Sequence, residues 1–222
     1  AMARHVPHLY LPPPYQGRRI GVVEATRVHL EKVLRNNGPL EVTYTDGSGL
    51  RGKGVYADGW IERGPEQLVE RPHPVTIAVA PPRNKSRARF VVEKLAEIGV
   101  ARLLWLATVH TEGRTPRMEK SSAWAQSAME QSRGAWLMEI SGPVDFSDVS
   151  QFGAVLIADR EGDDIDDLDI GDDAVLCVGP EGGFSENEVE QTATKVRLGD
   201  TTMRVETAAL VGAVLLTRRL FG

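Results

Sequence analysis

The pattern of apolar and polar positions changes character about a third of the way along the chain. Residues 18–71 carry short alternating runs broken by glycine turns, over 21–23, 41–45 and 52–57, a pattern that predicts a small antiparallel barrel. One helical element over 29–34 interrupts them, with Val28, Leu30, Val33 and Leu34 available for packing. Arg71-Pro72-His73-Pro74 reads as a linker, because two prolines resist regular hydrogen bonding and extend the residues before them. Beyond Val75, strands over 75–80, 102–107, 154–159 and 174–178 are interspersed with helices over 87–98, 118–131 and 186–194 and a closing helix from Glu206. Helical crossovers imply parallel pairing. The expected fold class is α/β, with a β-barrel in residues 1–72 and an α/β domain in residues 73–222.

Two glycine-anchored segments in the second domain carry the candidate chemistry. Val178-Gly179-Pro180-Glu181-Gly182-Gly183-Phe184-Ser185 follows a buried strand and opens onto a helix, where Ser185 and Glu188 form a capping box and Phe184 can staple against Val189. Leu198-Gly199-Asp200-Thr201-Thr202-Met203-Arg204-Val205-Glu206-Thr207-Ala208 leads into a long apolar helix whose first N–H groups point back toward the loop. One such loop is ordinary connective geometry. An ordered pair can hold a small polar ligand through backbone groups, since glycine permits close approach.

Composition and charge narrow the setting. The 222 residues suffice for a real core, and no uninterrupted apolar run approaches the roughly 20 residues of a membrane span. Residues 1–14 contain no apolar signal core. The single Cys177 lies in an apolar strand and reads as a structural thiol in a reducing cytoplasm. A net charge of −5 argues against indiscriminate nucleic-acid binding. Much of the acid lies in residues 159–173, whose spacing misses the EF-hand pattern; it reads as a solvated loop, and no metal is expected. Arg83, Lys85, Arg87 and Arg89, followed by Arg114, Arg117 and Lys120, form a basic run suited to phosphate contacts, with a plain solvated face as the alternative. Trp60, Trp105, Trp124 and Trp136 read as core or interface aromatics.

The two glycine loops, in this order, resemble the cofactor loops of the SPOUT methyltransferases, and the runs Gly179 to Ser185 and Arg204-x-Glu206-Thr207-Ala208 resemble the RsmE family within them. Lys94 to Val100, Glu130-Gln131-Ser132-Arg133, and His29-x-x-x-Val33-Leu34-Arg35 with Asp46-Gly47-Ser48-Gly49 are similar to further stretches of that family, so the likeness spans nearly the whole chain. The resemblance implies a PUA-like RNA-binding barrel followed by a SPOUT domain with a trefoil knot. It also implies S-adenosylmethionine as cofactor, held by Leu106, Ala107, Thr108, Val178, Gly179, Pro180, Gly182, Gly183, Leu198, Gly199 and Met203. The implied reaction is methylation of N3 of a uridine in 16S ribosomal RNA. Uridine N3 is a weak acid, so Arg204 is the candidate to stabilise charge on the uracil oxygens, with Glu206 orienting it and Glu181 as a second orienter or base. Arg204 pairing structurally with a helix-capping Glu206 is the competing reading. Candidate RNA contacts are His29, Arg35, Arg83, Lys85, Arg87, Arg89, Arg114, Arg117 and Arg133. The expected partners are 16S ribosomal RNA or the small ribosomal subunit and a second copy of the chain, with neither membrane nor DNA. The chain departs from the family where a proline and then Arg-Ser are usual after strand 102–106, having Trp105 and His110-Thr111, and at Trp136-Leu137-Met138. A SPOUT enzyme acting on another RNA, and a catalytically silent assembly factor, are the rival readings.

Overall fold

The computed structural model describes residues 6–33, 38–71, 74–190 and 194–221. It divides into two compact units: residues 1–71 with 129–137, and residues 72–128 with 138–222. Each unit has its own sheet.

In the first unit, β1 (His8–Tyr10), β2 (Arg19–Gly21), β3 (Leu40–Thr45), β4 (Leu50–Ala57) and β5 (Trp60–Leu68) form a five-stranded curled sheet in the order β1-β3-β4-β5-β2. Alternation sends Leu40, Val42 and Tyr44 of β3 into the core, joined by Tyr56, Ile61 and by Leu30 from helix α1 (Glu24–Val33). The expectation of a wholly antiparallel barrel needs correction. β1 runs parallel to β3, so this is an open, mixed half-barrel. Three residues are too few to show a period, which is why β1 is not legible in the sequence. Val28, expected to pack, is 39% exposed.

The segment 129–137 joins this unit through its own hydrogen bonds. Glu130 accepts from the Tyr10 N–H at 2.8 Å, the Gly134 carbonyl bonds His8 Nε2 at 2.9 Å, and the Ala135 carbonyl accepts from Thr45 Oγ1 at 3.0 Å. His8 is buried, and burial pushes its pKa down, which keeps the imidazole neutral in this network.

The second unit alternates strands and helices: β6 (Thr76–Val79), α2 (Lys85–Ile98), β7 (Arg102–Ala107), α3 (Met118–Ser132), β8 (Glu139–Asp145), β9 (Val155–Asp164), β10 (Val175–Val178), α4 (Glu186–Glu190), β11 (Thr194–Arg197) and α5 (Val205–Phe221). α3 starts here and ends in the first unit. All pairings are parallel, in the order β11-β9-β10-β6-β7-β8. β6 and β10 are buried throughout, as strands covered on both faces must be. α5 packs on β6, β10 and α2, burying Ala209, Gly212, Ala213 and Leu216. Among the described residues no helix is long and apolar enough to cross a membrane.

Two expectations here are corrected. Residues 159–164 are not loop but the second half of β9, followed by a 3-10 turn at Ile165–Asp167 whose Ile165 is buried. Their acids are partly matched: Asp159 pairs with Lys195 at 2.9 Å and Asp166 with Arg218 at 2.6 Å. The helix expected over 186–194 ends its described course at Glu190, and Thr194 already belongs to β11.

Candidate active site

The strand order reverses between β6 and β10: from β6 the chain first builds β7 and β8 on one side, then returns to place β10 and β9 on the other. Such a switch point opens a crevice at the carboxyl ends of the strands. The first glycine segment emerges beside it, from β10, and the second leaves the edge strand β11 at the same end of the sheet.

After β10 the chain makes a tight turn in which the Gly183 N–H bonds the Pro180 carbonyl at 2.9 Å and Gly183 takes φ +71°. The Phe184 ring packs tilted against Phe146, with ring centroids 5.2 Å apart. The capping box forms as the sequence predicts: the Ser185 N–H and Oγ donate to Glu188 Oε2 at 2.8 and 2.9 Å. Glu188 Oε1 also accepts from the Val109 N–H at 3.0 Å, and His110 Nδ1 lies 3.2 Å from the Gly183 carbonyl. Burial alone would raise the Glu188 pKa, but the Ser185 and Val109 N–H bonds hold it below the usual glutamate value, so it stays a carboxylate. His110, where the family pattern differs, thus touches the turn that shapes the crevice.

The second segment leaves β11 through Leu198 and Gly199 and ends where the Arg204 carbonyl accepts from the Ala208 N–H at 2.8 Å, starting α5. Between the two segments lies a cleft of about 360 Å³. Phe184, Val189, Leu198, Met203 and Ala208 contribute apolar side chains to its lining, and Asp159, Arg160, Thr201 and Thr202 polar ones. A Cβ on Gly199 would lie 2.8 Å from Met203 Cε, the mobile end of a flexible side chain that can move aside.

The predicted cofactor residues fall into three groups. Gly183, Leu198, Gly199 and Met203 line the cleft. Gly179, Pro180 and Gly182 belong to the turn that sets Gly183, and Val178 is the buried end of β10. Leu106 is wholly buried, and Ala107 and Thr108 line a separate hollow of about 290 Å³ with Asp145, Ser147 and Glu188. Two cleft residues, Asp159 and Arg160, were hidden within the acidic run.

Glu181 and Arg204 are exposed. The ion pair that Glu206 makes is with Arg87 of α2, at 3.5 Å, and its Oε2 is buried without a hydrogen-bond partner. Packing of α2 against α5 creates that pair, which no local spacing could reveal. Among the described residues no three His, Cys, Asp or Glu side chains gather to hold a metal ion.

The basic run separates into paired and clustered charges. Arg83 pairs with Glu112, Arg87 with Glu206, and Arg89 with Glu93. Lys85 instead faces Lys120, with Arg117 nearby, and this crowding of like charges, Lys85 first, pushes the Lys120 pKa down. Arg114 is exposed. In the first unit, His29 is exposed on α1 and borders, with Gln131 and Arg133, a hollow of about 90 Å³. Arg133 sits at φ +57° and donates to the Val6 carbonyl at 2.9 Å. Arg35 lies outside the described residues. Trp105 is fully buried, whereas Trp60 is 51% exposed.

A family model for the RNA methyltransferase domain matches residues 69–217. Ribosomal RNA small subunit methyltransferase E of Synechocystis sp. is 27% identical over 208 residues, covering 82% of this chain and 67% of that protein. The crystal structure of a probable rRNA-methyltransferase from Porphyromonas gingivalis superposes with a TM-score of 0.85 at 28% identity, over 97% of this chain and 98% of that one. Ribosomal RNA small subunit methyltransferase E of Neisseria gonorrhoeae, solved bound to S-adenosyl methionine, shares the fold at a TM-score of 0.86 and 23% identity, over 96% and 98% of the two chains. The chain belongs to the RNA methyltransferase domain family.

Proposed function

We propose that the protein methylates N3 of a uridine in 16S ribosomal RNA, with S-adenosylmethionine held in the cleft between the two glycine segments. The observation that carries this reading is the cleft itself. Its volume, about 360 Å³, is in the range of small-molecule sites, and its mixed apolar and polar lining suits a ligand that carries both an adenine and an amino-acid portion. The bound cofactor supplies an electrophilic methyl group on a sulfonium. Everything else falls to the chain. The apolar side chains of the lining exclude water from the reacting centre. The exposed Arg204 meets the negative charge that grows on the uracil oxygens as N3 loses its proton, and Glu181 or Glu206 is chemically competent to take that proton. The buried Cys177, its thiol pushed up to about 12 by burial, is inert in this scheme and suits a cytoplasmic setting.

Calorimetry with S-adenosylmethionine, followed by mass mapping of treated small-subunit RNA, tests the whole reading. Cofactor binding with a methyl mark at uridine N3 is expected. A mark on transfer RNA or on a ribose hydroxyl would move the enzyme to another substrate, and binding without any mark would favour an assembly factor.

RNA contact in this reading rests on Lys85, Arg117 and Lys120 more than on their neighbours, because Arg83, Arg87 and Arg89 already have carboxylate partners. Neutralising the clustered three should flatten the salt dependence of RNA binding by about 2–3 units of log K per log salt, as each lost phosphate contact removes about 0.7–0.9. Neutralising Arg83 and Arg89 should change the slope by less. Equal slopes for both variants and wild type would return the cluster to a solvated face.

The proposal includes a homodimer. α5 is covered on one side by the sheet and α2, yet Val214 on α5 is 51% exposed and Phe90 on the adjoining α2 is 41% exposed. A symmetric second copy would bury this layer. Light scattering should return twice the chain mass of 24.3 kDa. A fully active monomer would remove the dimer from the proposal.

A further inference from the structure

The loop that follows β7 is tied down along its length. Thr111 folds back on Thr108: its N–H donates to the Thr108 carbonyl at 3.1 Å, its Oγ1 accepts from the Thr108 N–H at 3.0 Å, and the two hydroxyls lie 2.9 Å apart. Two residues on, Gly113 passes so close to the connection between β6 and α2 that a Cβ there would overlap the Pro81 carbonyl, and Glu112 pairs with Arg83 of that connection. Residues 108–113 are thereby fixed against the body of the second unit, and a loop so fixed can support a neighbour.

That neighbour is the first glycine segment. The Val109 N–H donates to Glu188 Oε1 in α4, and His110 Nδ1 lies 3.2 Å from the Gly183 carbonyl. A carbonyl oxygen only accepts, so Nδ1 carries the hydrogen and donates it. The Gly183 N–H is bonded to Pro180, so both polar backbone groups of a residue at φ +71° are held, one from within the turn and one from the loop. The fit is close on the same side, where a Cβ on Gly182 would lie 3.3 Å from His110 Cβ. Glycine loses more conformational freedom on being fixed than any other residue, and a turn built on Gly182-Gly183 therefore depends on partners outside itself. Gly183 and Phe184 line the cleft, whereas His110 stands outside its lining. The His110 bond reaches the cleft only through the orientation of the peptide that joins those two residues.

We propose that His110 is a positioning residue: by donating from Nδ1 to the Gly183 carbonyl, it holds the first glycine turn in the conformation in which Gly183 and Phe184 form part of the cleft surface. The inference rests on the reading of this cleft as the S-adenosylmethionine site. His110 is exposed, so a substitution there removes the bond without opening a core.

Calorimetry with S-adenosylmethionine and steady-state kinetics on small-subunit RNA, applied to H110A, H110N and H110F, test it. Asparagine carries an amide N–H at the same position along the side chain as Nδ1, whereas phenylalanine keeps a ring and has no donor. H110A and H110F should bind S-adenosylmethionine about 2- to 10-fold more weakly, the range for one neutral hydrogen bond, and raise KM for the cofactor in step, with kcat at saturation within about twofold of wild type. H110N should recover most of the loss. In a double-mutant cycle the H110A effect should shrink toward none on a Gly183→Ala background, because the turn it holds has already relaxed. Recovery by phenylalanine rather than asparagine, or additive losses in the cycle, would overturn the bond to Gly183 as the means. A fall in kcat with KM unchanged would place His110 in the chemistry and overturn the positioning role. If wild type binds S-adenosylmethionine and all three variants match it, the inference falls while the cleft assignment stands. Failure of wild type to bind at all would overturn the cleft assignment, and this inference with it.

Discussion

Arg204→Ala is expected to lower the single-turnover methylation rate by about 10²- to 10³-fold, the usual cost of deleting a group aimed at charge that develops in the transition state. Cofactor affinity should stay within about twofold, because the stabilisation operates only while N3 is losing its proton. The structure removes the competing account, and with it the expectation that Glu206 orients Arg204, because Glu206 is engaged elsewhere. A structural Arg204 would pair with Glu206, but Glu206 pairs with Arg87, and no hydrogen bond or ion pair engages the Arg204 guanidinium among the described residues. Arg204 instead sits exposed at the point where α5 begins, beside the loop that walls the cleft. A near-normal single-turnover rate in the folded variant would show that the uracil anion is stabilised elsewhere. Arg87→Ala makes a useful companion, since it should perturb Glu206 without touching Arg204; a comparable loss there would point to Glu206 as the proton acceptor.

What could be read from the chain, and what could not, follows the range of the interactions involved. The capping box of Ser185 and Glu188 is local in sequence and was legible to the residue. So was β7, and the helix that Gly99 closes was placed at its C-terminal end, although it starts at Lys85, two residues before the expected Arg87. Strands at sheet edges were not. β8 contains Gly142-Pro143 and is exposed at alternate positions, and β11 is four residues long, so neither shows a buried run. The single-boundary division near residue 72 also has no way of expressing that residues 129–137 sit with the first unit, because the bonds from Glu130 and Gly134 to Tyr10 and His8 cross more than a hundred residues. The site divides in the same manner. Gly183, Gly199 and Met203 announce themselves as loop residues, whereas Arg160 reaches the cleft only because β9 and β11 fall out of register. A register shift is a property of two strands together, and an acidic run read alone gives no sign of it.

Gly183→Val should weaken S-adenosylmethionine binding by about two orders of magnitude, and the physical cause is backbone rather than bulk. A Cβ at this position would meet nothing within 4 Å, so the side chain itself has room. The difficulty is φ +71°, a region that a β-branched residue almost never enters. Forcing valine there costs about 2–3 kcal/mol, which is about 30- to 150-fold in affinity if the bound state requires the turn as it stands. The variant escapes that cost by relaxing the turn, and Gly183 lines the cleft, so the relaxation removes part of the ligand's wall. The series Gly, Asn, Ala, Val separates this account from simple crowding. Asparagine tolerates the left-handed region and should lose only severalfold, alanine more, and valine most, although asparagine is larger than alanine. Crowding would instead rank alanine above asparagine. Valine binding within about threefold of wild type would mean that the ligand does not depend on the conformation of this turn, and the cleft would then have to be formed by the Leu198 to Met203 segment alone.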